Sequence, residues 1–314
     1  MLIDDDLSVC GVDCRIDYEL RLVADINMSI HSELHAQQDS AVAKMLEDWF
    51  TPIFTSLNNE VDLSFFSTDG ADELREHRTE QTTARRHSFT FYLPREDYRH
   101  LAAVNVTGDN GLALRGASHA ATIRVETEKK DTLPSHRTAI YTARYPIVLD
   151  DRESQSFEVN LYVASSGVAL VLDSIALRMP KIEVLLSGTS SGMTLNDSTF
   201  LFDRNTLIRA EQLTKQCYAA VSLPSRDRMK LSPSAFPNKV EANALWELIV
   251  HVTQPTGKIT ETILHVDDPL EAGDIKIIKC KVEYDGSLVP VATTDVGATV
   301  TLDWKEGSEH EIEI

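Results

Sequence analysis

At 314 residues the chain has room for two domains of ordinary size, and its 42% apolar content fits a folded protein rather than a disordered one. Acidic residues number 49 against 30 basic ones, a formal net charge of −19. That balance disfavours nucleic-acid binding and docking on anionic lipid, because both need a positive surface.

The chain opens Met1-Leu2-Ile3-Asp4-Asp5-Asp6, with no apolar leader. Either the protein is cytoplasmic or the chain starts after a removed targeting segment, and composition leaves both open. Ile16, Tyr18, Leu20 and Leu22 then alternate with Arg15, Asp17, Glu19 and Arg21, the period of a half-buried strand. Over residues 39–57, Val42, Met45, Leu46, Trp49, Ile53 and Leu57 recur at three- and four-residue steps. This predicts a helix with Asp39 or Ser40 as N-cap and Pro52 as a kink or stop. Val61-Asp62-Leu63-Ser64-Phe65-Phe66 reads as a strand closed by the turn Ser67-Thr68-Asp69-Gly70. Residues 70–86 and 108–118 are weakly patterned. Between and after them, Phe89, Phe91 and Leu93, then Ile123 and Val125, then Phe157, Val159, Leu161 and Val163 alternate as strands do.

In the second half the predicted strands cover 182–186, 248–252, 260–266, 275–282 and 298–304, and a short helix is predicted over 209–221. Pro224, Pro233 and Pro237 mark 224–238 as a loop. No segment reaches the ~18 consecutive apolar residues of a membrane helix. Strands separated by turns, without regular intervening helices, predict an all-β protein of two tandem antiparallel β-sandwich domains with one or two short helices. The break is placed near the turn Asp150-Asp151-Arg152, giving domains 1–151 and 152–314.

No motif carries chemistry. His31-Ser32-Glu33-Leu34-His35 spaces two histidines for one helix face, but Ser32 stands where a zinc-protease motif has glutamate. Ser187-Gly188-Thr189-Ser190-Ser191-Gly192 lacks the lysine and helix of a phosphate loop and reads as a strand-to-strand turn. Nothing like G-x-S-x-G singles out a serine, and the carboxylate pairs Asp150-Asp151 and Asp267-Asp268 sit at turns without a calcium-loop pattern. Arg85-Arg86 reads as a solvated pair. Cys10, Cys14, Cys217 and Cys280 make no disulfide framework and no zinc site; one bridge or buried free thiols are the readings. Trp49, Trp246 and Trp304 fit core anchoring better than a ligand platform. Catalytic, cofactor and metal residues are therefore expected to be absent.

Several strings in order carry a family resemblance: Ile3-Asp4-Asp5-Asp6-Leu7-Ser8-Val9-Cys10, the Leu20-centred strand, Val61 to Phe66 ahead of Asp69-Gly70, Phe91-Tyr92-Leu93-Pro94-Arg95-Glu96-Asp97-Tyr98, and Ile140-Tyr141 with Val159-Asn160-Leu161-Tyr162. Over residues 3–200 the chain resembles the fimbrillin-associated anchor and minor-subunit family of Bacteroidota. The resemblance implies two transthyretin-like β-sandwich domains and export as a lipoprotein whose lipidated cysteine precedes Met1. It also implies a place at the outer membrane or in the fimbria, and assembly with fimbrillin or other fimbrial subunits by strand pairing.

The expected function is a non-enzymatic fimbrial anchor or accessory subunit. Candidate strand-pairing residues are Ile16, Tyr18, Leu20 and Leu22 near the N-terminus and Val300, Leu302 and Trp304 near the C-terminus. The C-terminal alternation reads first as an edge hairpin on its own domain and second as a strand offered to a partner. The alternative is a surface adhesin that binds carbohydrate or host matrix through sandwich-end loops; it predicts exposed aromatics around Trp246.

Overall fold

Alternation at the start of the chain becomes β1 (Asp13–Leu22), which buries Ile16 and Tyr18 and exposes Arg15. A computed structural model of the chain describes residues 13–22, 40–55, 60–70, 72–82, 86–149, 155–178, 180–226, 245–291 and 300–306. The predicted first helix is α1 (Ser40–Thr55), with Pro52 inside it. It is followed by β2 (Glu60–Ser67), β3 (Leu74–Gln81), β4 (Arg86–Pro94), β5 (Tyr98–Val104), β6 (Leu112–Arg115), β7 (Arg124–Thr127), β8 (Thr132–Pro134), β9 (Tyr141–Ile147) and β10 (Gln155–Val163). The second half contributes β11 (Ser166–Ile175), β12 (Lys181–Ser187), β13 (Gly192–Thr194), β14 (Phe200–Leu201), β15 (Leu207–Arg209), β16 (Glu211–Thr214) and β17 (Cys217–Ser222). It ends with β18 (Trp246–Thr253), β19 (Ile259–Val266), β20 (Ile275–Val282), β21 (Leu288–Pro290) and β22 (Val300–Glu306).

The first sheet runs β3-β2-β5-β9-β10-β1-β4 and folds over on itself. Strands far apart in that order meet across the core: Tyr18 of β1 packs T-shaped on Phe65 of β2, and Phe91 of β4 lies 4.8 Å from Phe65. Two rows of aromatic side chains thus close one sandwich. A second face of β2 and β5 carries Phe66, Leu101 and Ala103 against Leu112, Val125 and Met193 of the small sheet β14-β13-β7-β6. Covered on both faces, β2 is buried from Val61 to Ser67, with the polar Asp62, Ser64 and Ser67 enclosed along with its apolar residues.

In the second sandwich the sheet β16-β17-β11-β20-β21 packs on β22-β19-β18-β12-β15-β8. The five-stranded layer also serves the first core. Ala169 and Val171 of β11 and Cys217, Ala219 and Val221 of β17 face α1 and the first sheet, while Val168, Leu170, Tyr218 and Ala220 face the second core. Gly167 lets α1 sit close, since a Cβ there would lie 2.7 Å from Phe50 Cε1. Cys217 and Cys280 are free, buried and on opposite faces of this sheet, so the thiol reading holds for these two. Burial pushes both thiols up to about 12.

One expectation, the second short helix, needs correction, and the structure adds three features to the rest. Residues 209–221 form strands, not a helix: β17 lies between two cores, so its small apolar residues show no polar alternation. The sheets are not purely antiparallel, because β1 with β10, β11 with β20 and β15 with β8 run parallel. The weakly patterned stretch after Gly70 contains a whole strand, β3. Finally, the first sheet extends past residue 151 to Val163, because β10 pairs with β1 and β9. The halves also exchange pieces, with β8 joining β15 in the second sandwich and β13 joining β7 over the first.

Among the described residues, two histidines are wholly enclosed. His100 Nδ1–H donates to Ser64 O at 3.0 Å, so its Nε2 accepts from the Tyr18 hydroxyl at 2.5 Å. His136 lies in the segment crossing between sandwiches; its backbone N–H donates to Val221 O, and neither ring nitrogen has a partner among the described residues. Burial lowers His100 to about 3 and His136 to about 4.

Candidate strand-pairing edges

A sheet edge offers backbone N–H and C=O groups to an incoming chain, and its length, guarding side chains and cross-edge contacts decide whether one can pair there. β1 is not an edge. β10 pairs along one side (Ile16 with Gln155 through Leu22 with Leu161) and β4 along the other (Asp13 with Pro94 through Arg21 with Arg86). Ile16 and Tyr18 are core residues, and Leu20 and Leu22 register with Val159 and Leu161 inside the same ladder. The N-terminal candidate therefore cannot receive a strand while both neighbours are in place. Alternation in sequence reported its two faces correctly but carries no information about its two edges.

The long edges of the first sheet, β3 and β4, are guarded. Glu76, Arg78 and Glu80 of β3 stand opposite Phe65, Leu63 and Val61, on the core-facing row. Inward-pointing charge on an edge strand resists pairing with another chain. Arg78 also bridges the two edges: its guanidinium lies 4.5 Å from the Phe91 ring centroid and donates to Thr90 O at 3.3 Å. On the other face Asp62 holds β3 by accepting from Thr79 Oγ1 at 3.1 Å and contacting His77 Nε2 at 3.0 Å.

The edges β8, β14, β16, β6 and β21 are two to four residues long, and β21 ends in Pro290. That leaves β22. It pairs with β19 from Thr260–Glu306 to Val266–Val300 and has no second neighbour among the described residues. Val300, Leu302 and Trp304 register with Val266, Leu264 and Thr262, the buried row of β19. Thr301, Asp303 and Lys305 register with its outward row, His265, Ile263 and Glu261. Beside that row, His265 contacts Glu247 at 2.8 Å, His251 contacts Glu261 at 2.8 Å and Arg209 pairs with Glu183 at 2.9 Å. The C-terminal candidates thus pair antiparallel with β19 of their own sheet, and the tail 309–314 of the expected hairpin lies outside the described residues.

The other sequence candidates resolve simply. Residues 187–192 connect β12 to β13, as a strand-to-strand turn should. Gly188 has φ +83, and a Cβ there would meet Trp246 Cα at 2.8 Å, so the turn passes directly over β18. Asp268 pairs with Lys276 at 2.8 Å. Trp246 is 1% exposed and donates its indole N–H to Asp268 O at 2.8 Å, which removes it as an exposed platform. His31, His35, Cys10, Cys14 and Asp150-Asp151 lie outside the described residues. Among the described residues no group of three or more His, Cys, Asp or Glu side chains could hold a metal ion, and no helix is long and apolar enough to cross a membrane.

No family model and no curated protein matches the chain. Solved structures do. The chain is similar to the fimbrial anchor protein Mfa2 from Porphyromonas gingivalis, with 13% identity and a TM-score of 0.51 over 94% of this chain and 98% of that one. It is similar to a polysaccharide-binding candidate from Bacteroides thetaiotaomicron, with 11% identity and a TM-score of 0.53 over 88% and 94% of the two chains. An adhesin candidate from Bacteroides ovatus gives 12% identity and 0.52 over 84% and 88%. At such identities the likeness establishes the fold, a pair of β-sandwiches shared along nearly the whole chain.

Proposed function

We propose that this chain is a non-enzymatic fimbrial anchor or accessory subunit that meets neighbouring fimbrial subunits by strand pairing along β22. The observation that carries the reading is that, among the described residues, the other long edges are tied together through Arg78, whereas β22 pairs along one side alone. Ladder hydrogen bonds would supply affinity there, and the alternating rows of β22 would fix register. Its fold likeness to a fimbrial anchor supports the same reading.

The interlocked sandwiches suit a load-bearing subunit, because pulling them apart must strip β8 from β15 and β13 from β7. We divide the chain into two domains after Val163, where the first sheet ends. The site of action is the cell surface, with a lipid anchor on the precursor holding it to the outer membrane. Fimbriae sheared from cells of the native host should contain this chain at a fixed ratio to the major subunit. Recovery of all the chain in the soluble cell fraction, with none on fimbriae, would refute the assignment.

A further inference from the structure

A groove of about 510 Å³ runs along the C-terminal half of α1, and nothing in the strand-pairing role uses it. It is lined by Asp48, Trp49, Pro52 and Ile53 of α1, by Arg137 and Thr138 after β8, and by Glu211 of β16. From this arrangement we infer that the groove is a binding site for an uncharged saccharide, stacked on the Trp49 indole.

The walls are fixed before any ligand arrives. Ala139 N–H caps Ile53 O at 3.0 Å, and the Tyr141 hydroxyl caps Phe54 O, so the end of α1 is joined to the opposite wall. The buried Asn110 accepts from Arg137 N–H at 2.8 Å and donates to Thr138 O and Oγ1 at 3.2 and 2.9 Å. Trp49 packs T-shaped on Phe50 with centroids 4.7 Å apart, which sets the plane of the indole. A site built this way spends little binding energy on ordering itself.

Its chemistry is that of sugar recognition. A sugar ring offers an apolar C–H face and hydroxyls that both donate and accept. Trp49, half-buried, supplies a flat apolar surface. Asp48 and Glu211 supply acceptors and Arg137 supplies donors; all three are exposed, and among the described residues none is held in an ion pair. Pro52 adds another acceptor, because it has no N–H to give the carbonyl of Asp48, four residues earlier, its usual helical partner. The volume lies in the range of small-ligand clefts, about 300–1,000 Å³.

Charge narrows the class. An acidic sugar would meet two carboxylates on a chain of net charge −19, and a cation would meet Arg137. A neutral ring with hydroxyls at its rim satisfies both signs. The site stands apart from β22, which belongs to another sheet, so either role can fail without the other.

The test is a glycan array carrying neutral, sulfated and sialylated glycans, probed with the full chain and with Trp49→Ala and Arg137→Ala. We expect binding to neutral glycans, weakened about tenfold by Trp49→Ala and about threefold by Arg137→Ala. Arg137 is exposed, so its variant should melt with the parent and keeps the test informative if Trp49→Ala folds poorly. No neutral glycan bound, binding confined to acidic glycans, or neutral binding untouched by Arg137→Ala would overturn the proposal.

Discussion

Trp246→Ala is expected to cost about 3–5 kcal/mol of stability, the range for deleting a fully buried large aromatic. Trp246 is among the largest fully buried side chains, and it lies in the second core with Val250, Leu264 and Leu186. Its indole N–H donates to Asp268 O at 2.8 Å, so truncation also strips that carbonyl of its donor. The turn at Gly188 rests on the same residue, with no room for even a Cβ between them. Denaturant unfolding followed by circular dichroism checks this: the midpoint should fall sharply while the slope stays near the parent value. A loss below about 1 kcal/mol would mean that Trp246 is not the anchor its burial indicates.

Acid should weaken the fold well before its carboxylates titrate. His100 and His136 are buried and neutral in the folded chain, lowered to about 3 and 4, whereas an unfolded histidine titrates near 6.5. The unfolded state therefore binds more protons as pH falls below 6.5, and stability is lost in that direction. Above pH 6.5 the pair is silent. Between pH 6.5 and 5 each histidine contributes about 1.4 kcal/mol per pH unit, on the order of 4 kcal/mol for both. Ordinary carboxylates, with pKa values near ~4, are still mostly ionised in this window. His136→Leu should roughly halve the slope with little loss at neutral pH, because the imidazole nitrogens it removes have no partner among the described residues. Urea unfolding at pH 5, 6 and 7 reads it directly, and an unchanged slope would rule out His136 as a source.

How much was legible in the sequence depended on what covers each strand. β18 alternates buried and half-buried residues from Trp246 to Thr253, because one face meets the core and the other meets solvent. β1, β10 and β19 were readable for the same reason. β17 was misread because both of its faces are buried, and Ala219 and Ala220 then look like helix formers. β3 was missed because Glu76, Arg78 and Glu80 occupy the row that normally carries apolar residues, the cost of guarding an edge.

The candidate site shows the same limits. Periodicity found both terminal strands, but only the sheet order separates the internal β1 from the outer β22. The Trp49 groove had no local signal, since its walls come from α1, the segment after β8 and β16. The exchange of β8 and β13 was equally invisible, because strands of three residues are too short for any period to register.

Strand pairing along β22 can be tested in assembled fimbriae. Cells of the native host would carry either the natural chain or one with residues 300–306 replaced by a Gly-Ser segment of equal length. The ratio of this chain to the major subunit would be measured in sheared fimbriae, with protease resistance of the remaining chain as the folding control. Loss of the ladder predicts a drop of about tenfold or more in that ratio while the rest of the chain stays resistant. An unchanged ratio would contradict the account, because incorporation would then proceed without the edge that β22 provides.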